Sequence, residues 1–585
     1  MSIVLHVIII FNSVCVTHFN LTNFDSRVII NLLYMQNTFV PVDMSEENYY
    51  ISKNDKFGRF MVAKKNIKAG ELILSELPIM VGSPIDGPLI CFNCCNYVKF
   101  IGSAFCKDCH SAILCSSKCT GIFHTKEECE SFKKASINGT ALAENNQVIF
   151  PLRCLFLKKY KPEVWKHIME LEAHLENRRD NPIWRRHKIA VEQNLRHMNL
   201  LSEEDIASEM VQKICGILDV NTFELRPRQN KEPAMLSPGT HHCLRGLYSK
   251  AALMAHDCTG NTLLSVDDDF VLTIKASIDI QKDGPILFSY ANVLNGTVDR
   301  KQHLLEGKYF ECTCERCSDP TESNTEISSL KCHNCNRGTV RMKDTAIVNS
   351  DWICSDCQKT FRYFLMNLAV EEGRRKIQEI DRSDMEAMEN LLSKLLQTFH
   401  ENHFLILETK QSMIGLYTYM PPTRNNLQKK IRLCQSLIEV FSKLEPGISR
   451  MKAMALYQLQ SSLIDLANKE YNDGLINLEE LFSNLMNAEM KLKESITYLL
   501  YEPPRTPEGR ITKIALSELN MLRASIANIK NDLLFVNLIS NKKTTIKNIK
   551  GDKSCNIDKT LPTKSSTGDS DMESIRRKRN KNKHK

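Results

Sequence analysis

Cysteine residues in metal-ligand spacing are the residues of this chain best suited to chemistry. Fifteen of its 22 cysteines, together with one histidine, fall into three blocks. The first block holds Cys91, Cys94, Cys106, Cys109, Cys115, Cys119, His124 and Cys129. The second holds Cys312, Cys314 and Cys317, with Cys258 upstream as a candidate fourth ligand. The third holds Cys332, Cys335, Cys354 and Cys357.

This spacing favours zinc over disulfides. Two cysteines separated by two residues suit two corners of a tetrahedral zinc site and are too close to bridge comfortably. The first block also has too few large apolar residues for a core of its own, so metal must hold it together. We therefore predict several structural zinc ions in a protein from a reducing compartment. We interpret the other seven cysteines as unliganded thiols: Cys15, Cys95, Cys154, Cys215, Cys243, Cys434 and Cys555.

Composition limits the class of protein. The length of 585 residues predicts several domains, and 42% apolar with 25% charged residues is ordinary for a soluble protein. The net charge of +8 is unevenly placed, because lysine and arginine are concentrated after residue 540. The body of the chain is therefore close to neutral. A dedicated nucleic-acid surface needs a basic face on a folded domain, so we expect no specific nucleic-acid partner.

The first 16 residues imitate a signal peptide. They lack a basic start and a small-residue cleavage site, and His6, Asn12 and Ser13 interrupt the apolar run. The run is also too short to cross a bilayer. We expect residues 1–43 to be an extension outside the fold, and we expect no membrane partner.

Strand and helix patterns occupy different parts of the chain. Residues 57–63, 72–74, 270–274 and 286–288 are predicted strands. Residues 150–250 are predicted to be mainly helical, because Ile206, Met210, Ile214 and Leu218 repeat every four positions. Apolar stripes from 364 to 540 predict successive helices, either a tetratricopeptide-like array or a plain bundle. The basic run 576–579 is either a nuclear address or a solvated tail.

Four segments together resemble one enzyme family. Residues 253–261, Leu-Met-Ala-His-Asp-Cys-Thr-Gly-Asn, resemble the N-H-S-C-x-P-N motif of SET methyltransferases. Phe288-Ser289-Tyr290 resembles their strand that ends in serine-tyrosine, and residues 309–317 resemble the post-SET zinc element. The first cysteine block resembles a MYND zinc finger, whose C-S-x-x-C element matches residues 115–119. This order resembles the SMYD family, and the third cysteine block resembles its arthropod branch.

The resemblance extends over about residues 50–535 and implies an α+β fold. It implies a SET β-core interrupted by a MYND finger and a helical insert, followed by a post-SET zinc element, a zinc-ribbon-like segment and a tetratricopeptide-like helical domain. The implied boundaries are 1–43 extension, 44–90 first SET part, 91–129 MYND finger, 130–245 helical insert, 246–308 SET core, 309–363 post-SET and ribbon-like segment, 364–540 helical domain and 541–585 basic disordered tail.

The resemblance also implies which residues share a metal. In MYND fingers alternate pairs share a zinc ion, which groups Cys91, Cys94, Cys115 and Cys119, and separately Cys106, Cys109, His124 and Cys129. Four residues separate His124 from Cys129 where the family usually has three, so His110 is a rival ligand. Cys258 would complete a third site with Cys312, Cys314 and Cys317, and we expect the ribbon-like set to be structural.

The activity that the resemblance implies is methyl transfer from S-adenosylmethionine to a lysine of a protein substrate, histone or non-histone. The amine must lose its proton first, and an apolar channel favours that loss. By position, Tyr290 and Tyr309 would line the channel as catalytic residues. The cofactor would be bound by Gly58, Arg59, His256, Tyr290 and Phe310. We expect a monomer found in the cytoplasm and the nucleus.

Departures from the family pattern keep an alternative open. Ala255 stands where the family has an asparagine that helps hold the cofactor, Asp257 replaces serine, and Gly260 replaces proline. Residues Gly284-Pro285-Ile286 replace an acidic Gly-Glu-Glu element. One lost hydrogen bond costs about 1 kcal/mol. The alternative is a catalytically weak or inactive scaffold that binds proline-rich peptides through the MYND finger and regulates transcription.

Overall fold

The computed structural model describes residues 47–99, 103–207, 209–227 and 244–550. The predicted extension at 1–43 and the basic run at 576–579 lie outside these residues. The chain divides into two units, Met1–Ile526 and Ala527–Lys585, and the second is described only as the end of the last helix. Within the first unit, sheets, small cysteine-rich modules and helices occupy separate parts, which confirms the predicted α+β class.

Short strands build the core that surrounds the predicted SET motifs. They are β1 (Tyr49–Asn54), β2 (Gly58–Ala63), β3 (Leu72–Glu76), β4 (Met80–Gly82), β7 (Thr222–Leu225), β8 (Leu244–Leu247), β9 (Ala255–His256), β10 (Thr262–Val266), β11 (Leu272–Ala276) and β12 (Leu287–Phe288). They form a β1–β2 hairpin, a β10–β11–β3 sheet, a β4–β8–β7 sheet and a parallel β9–β12 pair. The inward faces bury side chains such as Met61, Val81, Tyr248 and Ile274 in one cluster. The four predicted strands are all present, with ends shifted by up to two residues.

One strand lies where the sequence predicted helix. Residues Thr222–Leu225 were assigned to the helical insert, but they form β7 and pair with β8, with Phe223 opposite Gly246. Threonine and phenylalanine favour strands, and the pairing partner comes from the adjoining SET core. A strand that pairs with the SET core therefore lies within the predicted insert 130–245.

The insert is a set of short helices around one apolar cluster. They are α1 (Lys126–Lys134), α2 (Gly139–Glu144), α3 (Ile149–Tyr160), α4 (Pro162–Met169), α5 (Leu175–Arg178), α6 (Pro182–His187), α7 (Asn194–His197), α8 (Glu203–Ala207) and α9 (Met210–Asn221). The predicted stripe through Ile206 to Leu218 is divided between α8 and α9, and Ile214 and Leu218 are buried on α9. The chain then re-enters the SET core at β7.

Two cysteine-rich modules have small sheets of their own. The first contains the pair β5 (Ala104–Phe105) and β6 (Ile113–Leu114). After the SET core come α10 (Thr297–Lys308) and α11 (Glu315–Ser318). The ribbon-like segment follows as a meander of β13 (Leu330–Lys331), β14 (Thr339–Met342), β15 (Trp352–Cys354) and β16 (Thr360–Phe361). Trp352 and Val340 of this meander pack with Phe399 of the helical domain, which anchors the segment.

Consecutive helices form the C-terminal domain. They are α12 (Tyr363–Glu379), α13 (Met385–Thr398), α14 (Phe404–Tyr417), α15 (Arg424–Leu444), α16 (Arg450–Asn472), α17 (Leu478–Leu499) and α18 (Pro507–Lys550). The predicted stripe on α17 is buried from Leu481 to Leu499, and the helix ends before Pro503. Helix α18 continues to Lys550, within the predicted tail 541–585, and a helix tolerates lysine well. No helix of the described residues is long and apolar enough to cross a membrane.

Candidate functional site

Four sets of cysteine and histidine side chains converge in the structure. In each set the ligand atoms lie within 4.8 Å of one another. Sulfur atoms at 2.3 Å from a zinc ion at the centre of a tetrahedron are about 3.8 Å apart. The closest sulfur–sulfur distances here run from 3.5 Å between Cys258 and Cys317 to 3.9 Å between Cys258 and Cys312. The donor sets therefore fit zinc in both type and spacing.

The first block forms two interleaved sets, grouped as the MYND resemblance implies. Cys91 lies 3.7 Å from Cys119, and Cys94 lies 3.7 Å from Cys115. In the other set Cys106 lies 3.8 Å from Cys129. Alternate pairs thus cross over one another, which ties the module together without a core of its own.

His124, rather than His110, joins the second set. Its Nε2 lies 3.6 Å from Cys109 Sγ, and its Nδ1 lies 2.8 Å from a carboxylate oxygen of Glu128. Glu128 is buried and also receives the Arg153 guanidinium at 2.6 Å. Such a carboxylate fixes the ring orientation of a ligating histidine. The additional residue between His124 and Cys129 is absorbed at the start of α1, where Glu128 itself is placed.

The third set brings Cys258 of the SET core to Cys312, Cys314 and Cys317 of the post-SET segment. Sequence reasoning missed the buried charges behind it. Arg300 donates to Cys258 Sγ at 3.3 Å and to Cys317 Sγ at 3.4 Å. Four thiolates around one zinc ion carry a net negative charge, and this guanidinium offsets it.

A buried carboxylate completes that network. Glu322 receives Arg300 at 2.6 Å and Arg316 at 3.1 Å, and each of the three side chains is at most 2% exposed. Although burial favours the neutral acid, the two guanidinium groups hold the pKa of Glu322 below its ordinary value. Hydrogen bonds therefore connect the third set to α10 and, through it, to the loop after α11.

The fourth set lies in the ribbon-like meander. Cys332 is 3.7 Å from Cys357, and Cys335 is 3.7 Å from Cys354. This module packs on the helical domain, away from the cleft described next. Its position is consistent with a structural role.

A cleft of about 1260 Å³ is lined by every residue predicted to bind the cofactor or to take part in catalysis. Its lining joins the β1–β2 turn, the insert, the β9–β12 pair and the start of the post-SET segment. The predicted residues along it are Gly58, Arg59, His256, Tyr290, Tyr309 and Phe310. Predicted residues from four separate stretches of sequence thus meet at one site.

The β1–β2 turn forms one rim of the cleft. Gly58 has a φ of +64°, which favours glycine, and a Cβ there would meet nothing within 4 Å. Arg59 follows and reaches the insert, where its guanidinium donates to the Glu170 carbonyl and lies 3.5 Å from the Glu170 carboxylate. The turn therefore leaves open space beside Gly58, and the Arg59 side chain connects this rim to the insert.

His256 ends β9, and Tyr290 lies beside it, two residues after the end of β12. The Nδ1 atom of His256 accepts a hydrogen bond from the Tyr290 N–H at 3.0 Å, and the ring centroids are 5.1 Å apart. Phe310 closes this group, with its ring 5.7 Å from that of His256. Burial lowers the pKa of His256 to about 4, so its ring is neutral at physiological pH. The Tyr290 hydroxyl donates to the Met254 carbonyl and is therefore already occupied.

Tyr309 has an unusual backbone and an unexpected partner. It ends α10 with a φ of +61°, a region that side chains other than glycine adopt rarely and often at functional sites. Its ring lies 5.0 Å from that of His174, and its hydroxyl accepts a hydrogen bond from Arg178 at 3.4 Å. Both partners come from the insert, and neither was singled out in the sequence.

Lys308 is a second residue that the sequence analysis missed. Its Nζ donates to the Val220 carbonyl at 2.5 Å, at the C-terminal end of α9, and lies 5.6 Å from the centroid of the Tyr290 ring. Burial, aided by the nearby Arg245 charge, lowers the pKa of Lys308 to about 8. The cleft therefore disfavours a protonated amine.

Two of the residues that depart from the family motif, Ala255 and Pro285, lie beside the cleft in defined contacts. Ala255 is 5% exposed and packs with Phe60 and Val62, so it offers the cleft no amide. The Pro285 carbonyl accepts from the Asn261 side chain at 2.9 Å, and Asn261 also accepts from the Leu287 N–H at 2.8 Å. The Asn261 side chain thus holds the segment 285–287, which leads into β12, in place beside the site.

The chain is similar to known SET-domain proteins. No protein-family model matches it. It is 26% identical over 439 residues to the SET domain-containing protein SmydA-8, isoform A, of Drosophila melanogaster, covering 72% of this chain and 90% of that one. It is 22% identical over 427 residues to N-lysine methyltransferase SMYD2-B of Danio rerio, covering 70% and 88% of the two chains.

A plant relative and a solved structure extend the comparison. Histone-lysine N-methyltransferase ASHR1 of Arabidopsis thaliana is 20% identical over 440 residues, covering 70% of this chain and 85% of its own. The crystal structure of the SET domain of LSMT bound to lysine and AdoHcy matches with 13% identity and a TM-score of 0.23, too low to support an argument. The similarity to SmydA-8 and SMYD2 spans most of each chain, so this chain is similar to SMYD proteins along most of its length, including SmydA-8 of Drosophila melanogaster.

Proposed function

We propose that this protein is a protein-lysine N-methyltransferase that uses S-adenosylmethionine and modifies a histone or another protein. The observation that carries the proposal is the meeting of Tyr290, Tyr309 and His256 in one cleft beside the third cysteine set. Relatives of similar length are named as N-lysine and histone-lysine methyltransferases. Their activity supports the same reaction class here.

The residues of the cleft fit a cofactor with an aromatic base and a charged tail. His256, Tyr290 and Phe310 present rings to the same space, and Gly58 leaves the turn without a side chain where a ligand would approach. S-adenosylmethionine, when bound, supplies a methyl group on a positively charged sulfur. His256 and Phe310 would hold it, with Arg59 and Gly58 at the rim.

The substrate amine must be neutral to accept the methyl group, because a protonated amine has no lone pair. The cleft favours that state, since its own amine, Lys308, has a pKa lowered to about 8 by burial and by the nearby Arg245 charge. The proton leaves to solvent. The remaining task is alignment in a water-poor site, which fixed side chains perform well.

The two tyrosines have different parts in this proposal. Tyr290 gives its hydroxyl proton to Met254 O and its N–H to His256, so it positions β9 and the cofactor side of the cleft. Tyr309 lines the cleft, and its hydroxyl accepts a hydrogen bond from Arg178. Tyr309 is the better candidate to contact the amine, and Tyr290 is a positioning residue.

Cofactor binding and methyl transfer test the proposal together. Calorimetry with S-adenosylmethionine and labelled-methyl transfer to histones and to a cell lysate should both be positive. Tyr309→Phe should lower transfer by about tenfold or more while the fold is retained. Tyr419→Phe, on a side chain that is 90% exposed, is the matched control and should change nothing. Failure to bind cofactor at millimolar concentration would contradict the proposal.

A scaffold without catalysis is the second candidate, and Ala255 is the observation that favours it. The residue lacks an amide and turns into an apolar cluster. In that case the MYND-like first module would bind proline-rich peptides, and the protein would regulate transcription without catalysis. Peptide binding that survives Tyr309→Phe but fails on Cys115→Ala, without any methyl transfer, would support the scaffold.

We further propose a monomer that resides in both cytoplasm and nucleus. The motivation is the basic run 576–579, which lies outside the described residues. Imaging of the tagged full chain, with and without alanine at these four positions, tests the nuclear part. Sedimentation of the full chain tests the monomer.

A further inference from the structure

A buried arginine of the insert reaches the hydroxyl of Tyr309. Arg178 is the last residue of α5 and is 1% exposed. Its Nη2 donates to Asp219 at 2.7 Å and to His187 Nδ1 at 3.2 Å. Its Nη1 donates to the Tyr309 hydroxyl at 3.4 Å, across 131 positions of sequence. One guanidinium thus connects three elements of the fold.

Burying the Arg178 side chain has an energetic cost. Arg178 Nε has no hydrogen-bond partner among the described residues. The neighbouring helix α9 has Gly216 at the contact, and a Cβ there would lie 2.6 Å from the Ala173 carbonyl and 3.3 Å from Arg178 Nε. Replacing a buried ion pair with apolar residues is often neutral or stabilising. Stability alone therefore gives no reason to keep an arginine here.

We propose that Arg178 is a positioning residue for methyl transfer, which sets the rotation of the Tyr309 hydroxyl and thereby the orientation of the substrate amine. The inference rests on the proposed lysine methyltransferase function. Arg178 acts through its hydrogen bond to the Tyr309 hydroxyl. The helical insert, through this residue, becomes part of the catalytic apparatus.

Hydrogen-bond geometry explains how it acts. A phenol oxygen has two lone pairs and one proton. The N–H of Arg178 occupies one lone pair, which leaves the other to accept an N–H of the amine. If the Tyr309 hydroxyl instead donated to the amine, it would occupy the lone pair that must attack the methyl group. Because Arg178 cannot accept a hydrogen bond, the hydroxyl proton must point away from it, and this restricts the rotation of the hydroxyl.

Tyr309 combines a left-handed backbone conformation with side-chain contacts from the insert. With a φ of +61° the residue lies in a sparsely populated region, and its ring is held chiefly by His174 and Arg178 of the insert. Asp219 balances the charge of Arg178, and His187 fixes the far side of the guanidinium. Lysine at 178 would keep the charge but could not reproduce the planar fork to three partners.

Kinetics of Arg178 variants test the inference, and Arg179 supplies a matched control. Arg179 is adjacent, 45% exposed at its side chain, and paired with Glu209 at 3.0 Å. We expect Arg178→Met to lower kcat by about 10- to 100-fold and to shift the ratio of mono- to dimethylated product. Binding of S-adenosylhomocysteine should change less than about threefold. Arg178→Lys should recover part of kcat, and Arg179→Met should match the wild type.

A double-mutant cycle shows whether the effect passes through the hydroxyl. In the Tyr309→Phe background, Arg178→Met should lower kcat no further. An unchanged kcat and product ratio in folded Arg178→Met, or additive losses in the cycle, would overturn the inference. If Arg178→Met does not fold, Arg178→Lys is compared with Arg179→Lys in the same assays.

A readout that needs no activity separates this inference from the proposed function. The protein labelled with 3-fluorotyrosine gives a fluorine resonance for Tyr309, assigned by Tyr309→Phe. Arg178→Met should shift that resonance, and Arg179→Met should leave it in place. If Arg178→Met shifts the resonance but the wild type transfers no methyl group, the proposed function is contradicted while the contact between Arg178 and Tyr309 is supported. No shift would overturn the role of Arg178 regardless of activity.

Discussion

The backbone N–H of Tyr290, two residues after β12, donates to Nδ1 of His256 at 3.0 Å. The other nitrogen of the same ring lies 3.3 Å from Sγ of Cys258, a ligand atom of the third cysteine set. A single imidazole therefore lies between the cleft and a metal cluster. The order of the cleft should depend on that cluster and not on the others.

Removal of individual zinc ions tests this dependence. Cys312→Ala should lower the zinc content by one ion per chain and weaken S-adenosylhomocysteine binding by about tenfold or more, because loss of the metal releases the segment that carries Tyr309 and Phe310. Cys332→Ala, in the ribbon-like set, should also lose one zinc ion but keep binding within about twofold. Metal analysis and calorimetry provide both measurements. Equal loss of binding in the two variants would refute a special role for the third set.

The choice between two histidines gives a second prediction. His124→Ala should lose the zinc ion of the second set, because its Nε2 faces Cys109 and its Nδ1 is fixed by Glu128. His110→Ala should keep full zinc content, since that exposed side chain lies outside the set. Zinc quantification of the two purified variants distinguishes them. A zinc deficit in His110→Ala would show that the ligand assignment is wrong.

The buried carboxylate behind the third set gives a third prediction. Glu322→Gln leaves Arg300 and Arg316 without their shared counter-charge in a site that is almost fully buried. Breaking such a network typically costs about 3–5 kcal/mol, and urea unfolding should show a loss of that order. Glu372→Gln, on an exposed helical ion pair with Arg375, should leave the unfolding midpoint unchanged. A loss in Glu322→Gln no larger than in this control would contradict the account.

Local pattern predicted the cysteine pairs and four of the strands. Zinc ligands two residues apart form a turn that is complete within the motif, so spacing identifies each pair, whereas the grouping of pairs into sets came from the resemblance to the SMYD family. The buried stripe of α17 is likewise a local property, because a helix repeats every 3.6 residues. The placement of β7 was missed because its partner strand β8 lies beyond residue 243, in another domain of the sequence.

The charged residues of the cleft were beyond the reach of local pattern. Arg178 and Arg179 are identical neighbours in a charged stretch, yet their side chains are 2% and 45% exposed. Which one is buried depends on Asp219 and Tyr309, far away in sequence. Lys308 is similar, because its acceptors are backbone carbonyls at the end of α9. Only the assembled fold identifies these groups as parts of the site.

The amine of Lys308 leads to the last prediction, which concerns pH. Burial and the nearby Arg245 lower its pKa to about 8, although Asp219 and Glu224 act in the opposite direction. An unfolded lysine titrates near pKa 10.4. Between about pH 8 and pH 10.4 the unfolded chain therefore binds more protons at this position than the folded chain, and its contribution to stability rises with pH. Lys308→Met removes that contribution. As the pH rises through this window, the unfolding free energy of the wild type should therefore increase relative to that of the variant.

Two measurements check the sign. Urea unfolding of both proteins at pH 7.5 and at pH 9.5 should show the wild type gaining relative to Lys308→Met, because only the wild type releases a proton from a buried ammonium over this range. Carbon-13 resonances of reductively methylated lysines should include one with a midpoint near 8, which is missing in Lys308→Met. The test also bears on catalysis, since a cleft that lowers the pKa of its own amine would lower that of a substrate amine at the same place. A Lys308 midpoint above 10 would remove this electrostatic support for a neutral substrate amine.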